Sequence, residues 1–492
     1  MDIIGSKSLH FHQLLTDWTQ TYGQVFVWHF GTQAVLVVTD PEEVTRFCNN
    51  SNKQDNLPKW AKTYLVLEPR APHYSMIGTP DYEEWKSFRK TCSLAFSPDN
   101  MRKAYPRIYQ SILQGSAAVQ QICKHGPVDV SSLAMRLTAE VIGGFGFEQE
   151  YHALQVETGS DGKPRFTHQP FLENVRVQLD WSALTFGSPW YKLLYAVMPW
   201  LAGAKQVRNS IQAVRQNEDK LANEFKRRGV QSLDNTSLWA CLGRLVNYKD
   251  GKPAHHDNLA MNTGLFFIAG YETTAHNITF ALLELASHKA VQERVRQELH
   301  AAGLVPTAQQ PQPRDLQFAD LSKLPVLESV IKETLRLHPT GPLGTFRITD
   351  RDVIIGGYRI PKDTPVQLPP YPMHLSSANF VQPDKFWPER WAQQMPAFSP
   401  DKEHPDATPA GNRRNLSASW NAFSCGPRNC IGQALAVTEA RTALAVLVAN
   451  FHFDLPEGFS REQFVRHEQV WRITLQPMSQ LHLKITPVNP AP

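Results

Sequence analysis

Phe423 to Gly432 reads FSCGPRNCIG, and this stretch decides how the rest of the chain is interpreted. It places Cys430 in a glycine-containing loop directly before the apolar run QALAVTEARTALAVLVA, which predicts a helix. A thiol just before a helix N-terminus lies near free backbone N–H groups that favour its anionic form. Arg428 adds a cation and Phe423 an apolar wall. The loop is therefore suited to present a thiolate to a metal.

A structural role is the alternative for any single cysteine, since free cysteines are commonly buried. Against it stands the spacing Phe-x-x-Gly-x-Arg-x-Cys-x-Gly, which resembles the haem-ligand signature of the cytochrome P-450 family. The resemblance implies haem b as cofactor and Cys430 as the axial ligand of its iron. It also implies that Phe423, Arg428 and Gly432 lie beside the cofactor.

Composition sets broad limits on the function. The chain has 492 residues and a formal net charge of +4, without a run of Lys or Arg, which argues against nucleic-acid binding. Its six scattered cysteines are typical of a reducing compartment, facing the cytosol or a plastid stroma. No linker has the character of a domain boundary, so we expect a single catalytic domain over 1–492. Residues 395–417 lack apolar periodicity and are expected to form a mobile surface insertion.

The N-terminal region predicts no membrane anchor. No stretch approaches the ~20 uninterrupted apolar residues that span a bilayer. Eukaryotic members of the resembled family usually begin with an anchor and a proline-rich hinge, and we expect both to be missing here. A natural form without an anchor, a shortened chain and an incomplete gene all remain open. With an anchor, the resemblance implies a cytosol-facing protein on the endoplasmic reticulum membrane; a plastid is also possible.

Periodicity predicts a mainly α protein with small peripheral β-sheets (α+β). Strands are predicted within 24–40, 352–368 and 471–487, and a long helix begins near Leu259. The segment 154–165 is predicted to be a polar loop. The resemblance implies the cytochrome P-450 fold, with haem between the long helix and the helix that follows the cysteine loop.

The long helix contains AGYETT, Ala269 to Thr274. Glycine and adjacent threonines weaken a helix interior, so a local kink could open a groove for a small ligand. Small residues are also typical of ordinary helix–helix contacts. The motif resembles the dioxygen-activating motif of the family, which implies that Thr273 and Glu272 deliver protons and that Ala269 and Gly270 line the cofactor.

Two further motifs carry paired charges. ETLR places Glu333 and Arg336 at i, i+3, which alone would be a surface pair worth ~0.3 kcal/mol. The family pairs this motif with an arginine in a later Pro-Glu-Arg-Phe segment, which is PERW here. The resemblance therefore implies a structural ion network of Glu333, Arg336 and Arg390, with Trp391 in place of phenylalanine.

Carboxylate-binding side chains are predicted from a third motif. WKSFR places Trp85 and Arg89 one helical turn apart, where an indole N–H and a guanidinium can both reach a propionate, although the pair is unremarkable on an ordinary helix. The resemblance assigns this role to both residues, and also to Arg347 and Arg428.

The segments expected to contact the substrate carry less specific sequence patterns. The aromatic-rich segment 188–203 suits either the core or peripheral membrane contact. The resemblance implies pocket-lining positions in 62–78, 183–195, Phe266 to Gly270, Pro342 to Phe346, and Ile473 to Leu475.

All the motifs occur in the family's order, so the resemblance covers about residues 10–488. It implies a monomeric haem-thiolate monooxygenase that inserts one oxygen atom from dioxygen into a small apolar substrate. Electrons would come from NADPH through a flavoprotein reductase, with a cytochrome b-type or ferredoxin donor as alternatives. A haem-thiolate isomerase or dehydratase acting on peroxides and a non-catalytic haem-binding protein remain as alternatives.

Overall fold

The computed structural model describes residues 9–30, 32–48, 57–60, 74–187, 197–198, 200, 203–229, 236–308, 310–394 and 416–488. Helices dominate these residues. The α-helices are α1 (Phe11–Tyr22), α2 (Pro41–Cys48), α3 (Tyr82–Ser93), α4 (Pro98–Ile122), α5 (Val130–Ile142), α6 (Pro170–Gly187), α7 (Ala204–Gly229), α8 (Leu238–Gly243), α9 (His256–Ser287), α10 (Lys289–Ala301), α11 (Pro325–Leu337), α12 (Pro370–His374), α13 (Leu416–Ser419), α14 (Gln433–Asn450) and α15 (Arg461–Gln463).

The strands form small, separate sheets. They are β1 (Val25–Phe30), β2 (Gln33–Val38), β3 (Val128–Asp129), β4 (Val156–Thr158), β5 (Pro164–Phe166), β6 (Thr345–Ile348), β7 (Val353–Ile355), β8 (Tyr358–Ile360), β9 (Pro365–Leu368), β10 (Phe451–Asp454), β11 (Gln469–Arg472), β12 (Thr474–Pro477) and β13 (His482–Pro487). One sheet has the order β1-β2-β9-β6 and another the order β10-β13-β3. The remaining strands pair as hairpins.

Local sequence explains where several helices begin. The Asp81 carboxylate accepts hydrogen bonds from the N–H groups of Glu83 and Glu84, and this cap starts α3. Ser97 caps α4, where Pro98 occupies the first helical position without a donor to satisfy. Asp129 caps α5 in the same way. The start of α3, the helix that carries Trp85 and Arg89, is therefore determined by the capping residue Asp81.

Helix α9 is the central element of the core. It is apolar around most of its circumference, and almost every position from Asn258 to Ala286 is buried. It packs against α5 on one side and against α14 on another. One large apolar cluster joins α3, α4, α5, α9, α11 and α14 to the strands near the C-terminus. The cysteine loop, which directly precedes α14, is thus held next to the longest helix.

The four-stranded sheet positions the other side of the site. Strand β2 runs antiparallel to β1 and parallel to β9, with Leu36 opposite Val366. Strand β6 lies antiparallel to β9, and Arg347 pairs with Val366 in that register. Gly344 has a φ of 67°, and a Cβ there would lie 1.9 Å from the Leu368 carbonyl oxygen. Glycine is therefore required where the chain enters β6.

The structure confirms a mainly α fold with small sheets, but it corrects some local expectations. Residues 154–165 contain the β4–β5 hairpin, whose polar side chains hid the strand alternation in the sequence. Helix α9 begins at His256, before the first apolar residue, and it runs unbroken through 269–274. The insertion predicted at 395–417 lies outside the described residues, except for the start of α13. No helix among the described residues has the length and apolar character needed to cross a membrane.

Candidate functional site

The cysteine loop is a compact turn held by its own backbone. The Cys430 N–H donates to the Phe423 carbonyl oxygen at 2.9 Å, and the Asn429 N–H donates to that of Gly426 at 3.0 Å. Ser424 and Gly426 have φ values of 60° and 71°. A left-handed conformation costs glycine little, which explains Gly426 in the motif. These turns present Cys430 immediately before α14.

The Cys430 sulfur combines an accessible surface with a dense protein environment. The side chain is exposed, but the surrounding protein raises the pKa of its thiol above the usual value. The N–H groups of Gly432 and Gln433 and the charge of Arg89 act in the opposite direction. The sulfur therefore lies in a recess with donors around it. A bound metal cation would favour the thiolate form of this sulfur.

Three of the expected propionate-binding residues are brought together on α3 and the loop. The Arg89 guanidinium donates to the backbone and side-chain oxygens of Asn429 at 2.6 and 2.7 Å. The Arg428 guanidinium lies 4.6 Å from the ring centroid of buried Trp85 and donates to the Thr79 carbonyl oxygen at 3.1 Å. Helix α3 thereby contacts the cysteine loop at two adjacent residues, Arg428 and Asn429.

Arg347 approaches from β6 on the four-stranded sheet. Its side chain is 1% exposed, and its Nη1 donates to the Leu57 carbonyl oxygen at 3.1 Å. Its Nη2 lies 3.9 Å from Cys48 Sγ, while its Nε has no hydrogen-bond partner among the residues that the structure describes. A buried guanidinium N–H without a partner is costly. A carboxylate of a bound ligand would remove that cost, and Arg347 therefore fits the propionate role.

Helix α9 opens at only one part of its surface. Between Asn258 and Ala286, Ala269 is exposed, Leu265, Ile268, Gly270 and Thr273 are partly exposed, and the other positions are buried. The spacing from Leu265 to Ala269 to Thr273 is four residues, so these three share one face. Thr273 Oγ1 donates to the Ala269 carbonyl oxygen at 2.7 Å. This open face is apolar apart from one hydroxyl.

Gly270 also has a packing role, which the sequence did not predict. A Cβ at this position would lie 2.7 Å from Ile142 Cδ1, so the glycine permits close packing of α9 against α5. Because the helix is unbroken here, the kink expected from the sequence is not needed to expose Ala269 and Thr273.

Glu272 lies on a different side of α9 from its neighbour Thr273. Its carboxyl group is buried and bonded to Thr474 of β12, and burial raises its pKa to about 8. Oε2 has no partner among the described residues. His276, one turn further along, is 3.2 Å from Thr474 Oγ1, and burial lowers its pKa to about 3. The structure thus places a mostly protonated acid beside a neutral imidazole.

Glu333 is the centre of a fully buried ion network. Its carboxylate accepts hydrogen bonds from Arg336 at 2.9 and 3.0 Å and from Arg390 at 2.9 and 3.1 Å. The Trp391 indole N–H and the Trp387 backbone N–H donate to the same carboxylate. The two cations hold its pKa below the usual value despite burial. The structure therefore brings the three predicted members of this network together.

The ion network supports the cysteine loop through two routes. The Trp391 ring lies edge-on to Trp420, and Trp420 lies edge-on to Phe423, with centroid distances of 6.2 and 5.9 Å. Arg336 donates to the His374 carbonyl oxygen, and His374 Nε2 accepts from the Asn421 N–H at 2.9 Å. The residues that fix the loop are thus packed on a charged cluster that lies outside the recess.

Replacing Glu333 with glutamine is expected to destabilise the whole protein. The change leaves two buried guanidinium groups without their counter-charge, which typically costs about 3 kcal/mol or more. A denaturant titration followed by circular dichroism measures the loss. Glu328→Gln is the matched control, because its pairs with Lys332 and Arg441 are partly exposed, and it should cost about 1 kcal/mol at most. Equal losses in both variants would contradict the proposed role.

Two of the expected pocket segments meet in one apolar cluster. Leu343 and Phe346 pack with Trp471 and partly buried Ile473. Ile473 has a φ of 72° at the turn between β11 and β12. Residues 61–73 and 188–196 lie outside the described residues, so the expectations for 62–78 and 183–195 are described only over 74–78 and 183–187.

Sequence reasoning missed several residues of the site. Asn429 accepts a hydrogen bond from Arg89, and His374 accepts one from the Asn421 N–H. Lys59 forms a β-bridge with Arg347. Only Asn429 carried a signal, since it is adjacent to Cys430. The others come from segments distant in sequence, and no local pattern distinguishes them.

Taken together, the residues fit a haem. A recessed sulfur with backbone donors suits an axial ligand, the unsatisfied Nε of Arg347 suits a propionate, and the apolar face of α9 suits a macrocycle. Arg89, Trp85 and Arg428 would contribute further propionate donors. This donor set combines one sulfur ligand for iron with several donors for the propionates.

Comparison with known proteins agrees with this geometry. The family model described as "Cytochrome P450" matches residues 3–480. The chain is 26% identical to cytochrome P450 3A6 of Oryctolagus cuniculus, over 88% of this chain and 80% of that protein. It is 26% identical to the mitochondrial 25-hydroxyvitamin D-1 alpha hydroxylase of Rattus norvegicus, over 96% and 88%. Trans-cinnamate 4-monooxygenase of Zinnia elegans is 24% identical, over 91% and 83%.

These relatives span almost the whole chain and include proteins named as monooxygenases. The family match extends from the first helix to the C-terminal strands and includes the cysteine loop and α9. The chain therefore belongs to the cytochrome P450 family and is a haem-binding monooxygenase.

Proposed function

We propose that this protein inserts one oxygen atom from dioxygen into a small apolar substrate, using electrons from NADPH that a flavoprotein reductase delivers. The observation that carries the proposal is the open face of α9, where Ala269 and Thr273 are accessible within an otherwise buried apolar helix. An apolar surface with a single hydroxyl suits a hydrocarbon substrate and provides one site for proton transfer.

Different residues of the chain would bind the cofactor and position the proton donor. Cys430 would bind the iron, while Arg89, Trp85, Arg347 and Arg428 would bind the propionates. Haem bound through a thiolate supplies the cleavage of dioxygen. Thr273 Oγ1 would hydrogen-bond to a proton donor and position it on the open face.

Glu272 would supply protons from a different side of α9 than the open face that carries Thr273. At neutral pH the raised pKa keeps its carboxyl group mostly protonated, so it can donate a proton. Burial on the β12 side means that transfer to Thr273 requires a side-chain movement or an ordered water. The acid is therefore proposed as a proton reservoir and Thr273 as the group that positions the donor.

Reconstitution tests the proposal. The haem-loaded protein, an NADPH-dependent flavoprotein reductase and a panel of apolar compounds should consume NADPH and release oxygenated product. Compounds that bind are recognised by a shift of the Soret band. Turnover of a peroxide without NADPH would favour the isomerase or dehydratase alternative. Haem binding without either reaction would favour a non-catalytic protein.

The reductase is expected to bind on the side of the cysteine loop, where α3 carries exposed cations. Lys86 and Lys90 are exposed on the helix that contributes Arg89. Replacing both with glutamate should slow the first electron transfer about tenfold at low salt, because charge steering accelerates association. High salt should remove most of the difference. Stopped-flow reduction in carbon monoxide measures the rate.

Lys163→Glu with Lys484→Glu is the matched control, since both side chains are exposed, on the β4–β5 turn and on β13. This variant carries the same change of charge on other elements and should reduce at the wild-type rate. Equal slowing in the two variants would show an effect of net charge and would exclude α3 as the specific docking element.

We further propose that the protein acts as a monomeric single domain that contacts a membrane peripherally. Val197 and Trp200 are 58% and 74% exposed, and apolar side chains of this size suit a bilayer interface. Most of the segment 188–203 lies outside the described residues. Association with the endoplasmic reticulum would place the protein beside its reductase.

A further inference from the structure

The cysteine loop contains a second thiol that the monooxygenase reaction does not use. Cys425 lies between Ser424 and Gly426, the two residues with left-handed φ values. These turns direct Cys425 toward α2, and Cys430 forms the recess with Arg89. Cys425 Sγ lies 3.9 Å from the carbonyl oxygen of Val44. Cys425 is partly exposed, so a small solute can approach the loop from this side.

Helix α2 places a partner thiol at this position. Cys48 follows Val44 by four residues, so it lies one helical turn further along the same face. Its side chain is 1% exposed, in an apolar cluster against which Cys425 also packs. Both cysteines therefore lie at the same cluster beside α2. The fold has therefore paired two cysteines that are far apart in sequence.

Two buried cations favour the anionic form of Cys48. Arg347 Nη2 lies 3.9 Å from its sulfur, and Lys59 forms a β-bridge with Arg347. The neighbouring Cys425 side chain and these positive charges lower the pKa of Cys48 below its usual value, against the effect of burial. Cys425 consequently keeps its proton, because a second thiolate beside the first is unfavourable. A thiolate beside a thiol is the arrangement that reacts with oxidants.

The protein holds a contrasting pair that lacks this chemistry. Cys92 on α3 and Cys241 on α8 are both buried, and Cys241 is close enough to influence Cys92. Burial raises the pKa of both thiols above the usual value. Proximity of cysteines alone therefore does not create a reactive thiolate in this fold. Arg89 and Arg244 lower the pKa of these two thiols less than burial raises it, whereas the neighbours of Cys48, with Cys425 first, outweigh its burial.

We propose that Cys48 and Cys425 form a peroxide-responsive dithiol site, which closes to a disulfide and ties the cysteine loop to α2. The oxidant is hydrogen peroxide. The Cys48 thiolate attacks one peroxide oxygen, the S–O bond forms as the O–O bond breaks, and the leaving hydroxide becomes water with a proton from solvent. Cys425 then loses its proton and attacks the Cys48 sulfur. The S–S bond forms, the S–O bond breaks, and the leaving hydroxide takes up that proton as a second water.

Overall, two thiols and one peroxide give one disulfide and two waters. The sulfurs together lose two electrons, and the peroxide gains them. Cellular thiols can reverse the reaction by exchange, as is usual for intracellular redox-sensing disulfides. The proposal depends only on the two thiols and their neighbours, so it does not require the monooxygenase activity to be correct.

The test uses the haem-loaded full chain and hydrogen peroxide. Peroxide is added stepwise until the Soret band begins to bleach. Free thiols are then alkylated in denaturant, and the digest is analysed by mass spectrometry without reduction. The expected product is a cross-linked peptide pair containing Cys48 and Cys425, which dithiothreitol separates. Cys92 and Cys241 should stay reduced, and therefore become fully alkylated, and they serve as the internal control.

Two variants exclude an unspecific reaction. Cys48→Ser and Cys425→Ser should each abolish the cross-link, whereas Cys123→Ser should retain it. The proposal is overturned if Cys48 and Cys425 stay fully alkylated up to bleaching. A cross-link from Cys425 to Cys430, or equal oxidation of Cys92 and Cys241, would also overturn it. The wild-type measurement decides the question even if a variant fails to fold.

Discussion

Replacing Cys430 with alanine is expected to abolish the red-shifted ferrous–carbon monoxide band that thiolate ligation produces. Cys430 is the cysteine that the loop presents before α14, and its sulfur lies among the N–H groups of Gly432 and Gln433. An alanine side chain offers no ligand to iron. Haem content should fall as well, because the remaining donors hold only the periphery of the cofactor. The reduced carbon monoxide difference spectrum, normalised to protein, measures both effects.

Cys425→Ala is the sharpest control for this experiment. It removes a thiol from the same loop, five residues away, on the side that faces α2. This variant should keep the full thiolate band, as should single replacements of Cys48, Cys92, Cys123 and Cys241. An unchanged spectrum in Cys430→Ala would remove the basis for the assignment of the axial ligand.

Replacing Thr273 with alanine is expected to separate NADPH consumption from product formation. Thr273 carries the hydroxyl of the open α9 face, and Oγ1 bonds only the Ala269 carbonyl oxygen among its described contacts. Alanine is the better helix former, so folding, haem content and substrate binding should survive. Without the hydroxyl the proton donor is no longer positioned, which typically costs 10²–10⁴-fold in rate (order of magnitude). Product per NADPH should fall about tenfold or more, and hydrogen peroxide should replace it.

Thr279→Ala provides the matched comparison. Thr279 lies on the same helix and makes the same bond, from Oγ1 to the carbonyl oxygen four residues earlier, at 2.8 Å. It is fully buried and does not reach the open face. Its replacement should leave the ratio of product to NADPH unchanged. A wild-type ratio in Thr273→Ala would refute the role in proton positioning and would favour chemistry that does not activate dioxygen.

These experiments address different levels of the proposal. Loss of the thiolate band in Cys430→Ala concerns the cofactor, the lysine variants concern electron delivery, and Thr273→Ala concerns the oxygen chemistry. The Glu333 variant concerns the scaffold that supports the loop. A failure in one of them leaves the others interpretable, because each has a control on the same or an equivalent element.

We propose the substrate as a chemical class, an apolar compound. The relatives named for cinnamate and for 25-hydroxyvitamin D are only 24% and 26% identical to this chain. Binding specificity resides in loops that vary within a fold. Phe346, Leu343 and Ile473 pack in one apolar cluster, and as the proposed pocket walls they would favour an apolar compound.

Short-range patterns predicted the fold class and the principal motifs. The cysteine loop is held by hydrogen bonds among residues 421–430, and its conformation depends on local glycine and turn chemistry. The apolar run of α14 and the cap of α3 at Asp81 likewise depend on neighbours in sequence. Helix α9 runs unbroken through 269–274, where Gly270 permits close packing against α5.

By itself, the sequence determined which residue types could bind a haem and that a mainly α fold would carry them. Only the tertiary structure decided that Glu333 is a buried centre of charge, since the alternative surface pair has the same i, i+3 spacing. It also decided that Arg347 lies beside Cys48 and that Cys425 faces α2. These contacts join segments about 300 to 380 residues apart, and their energies come from burial that local spacing does not encode.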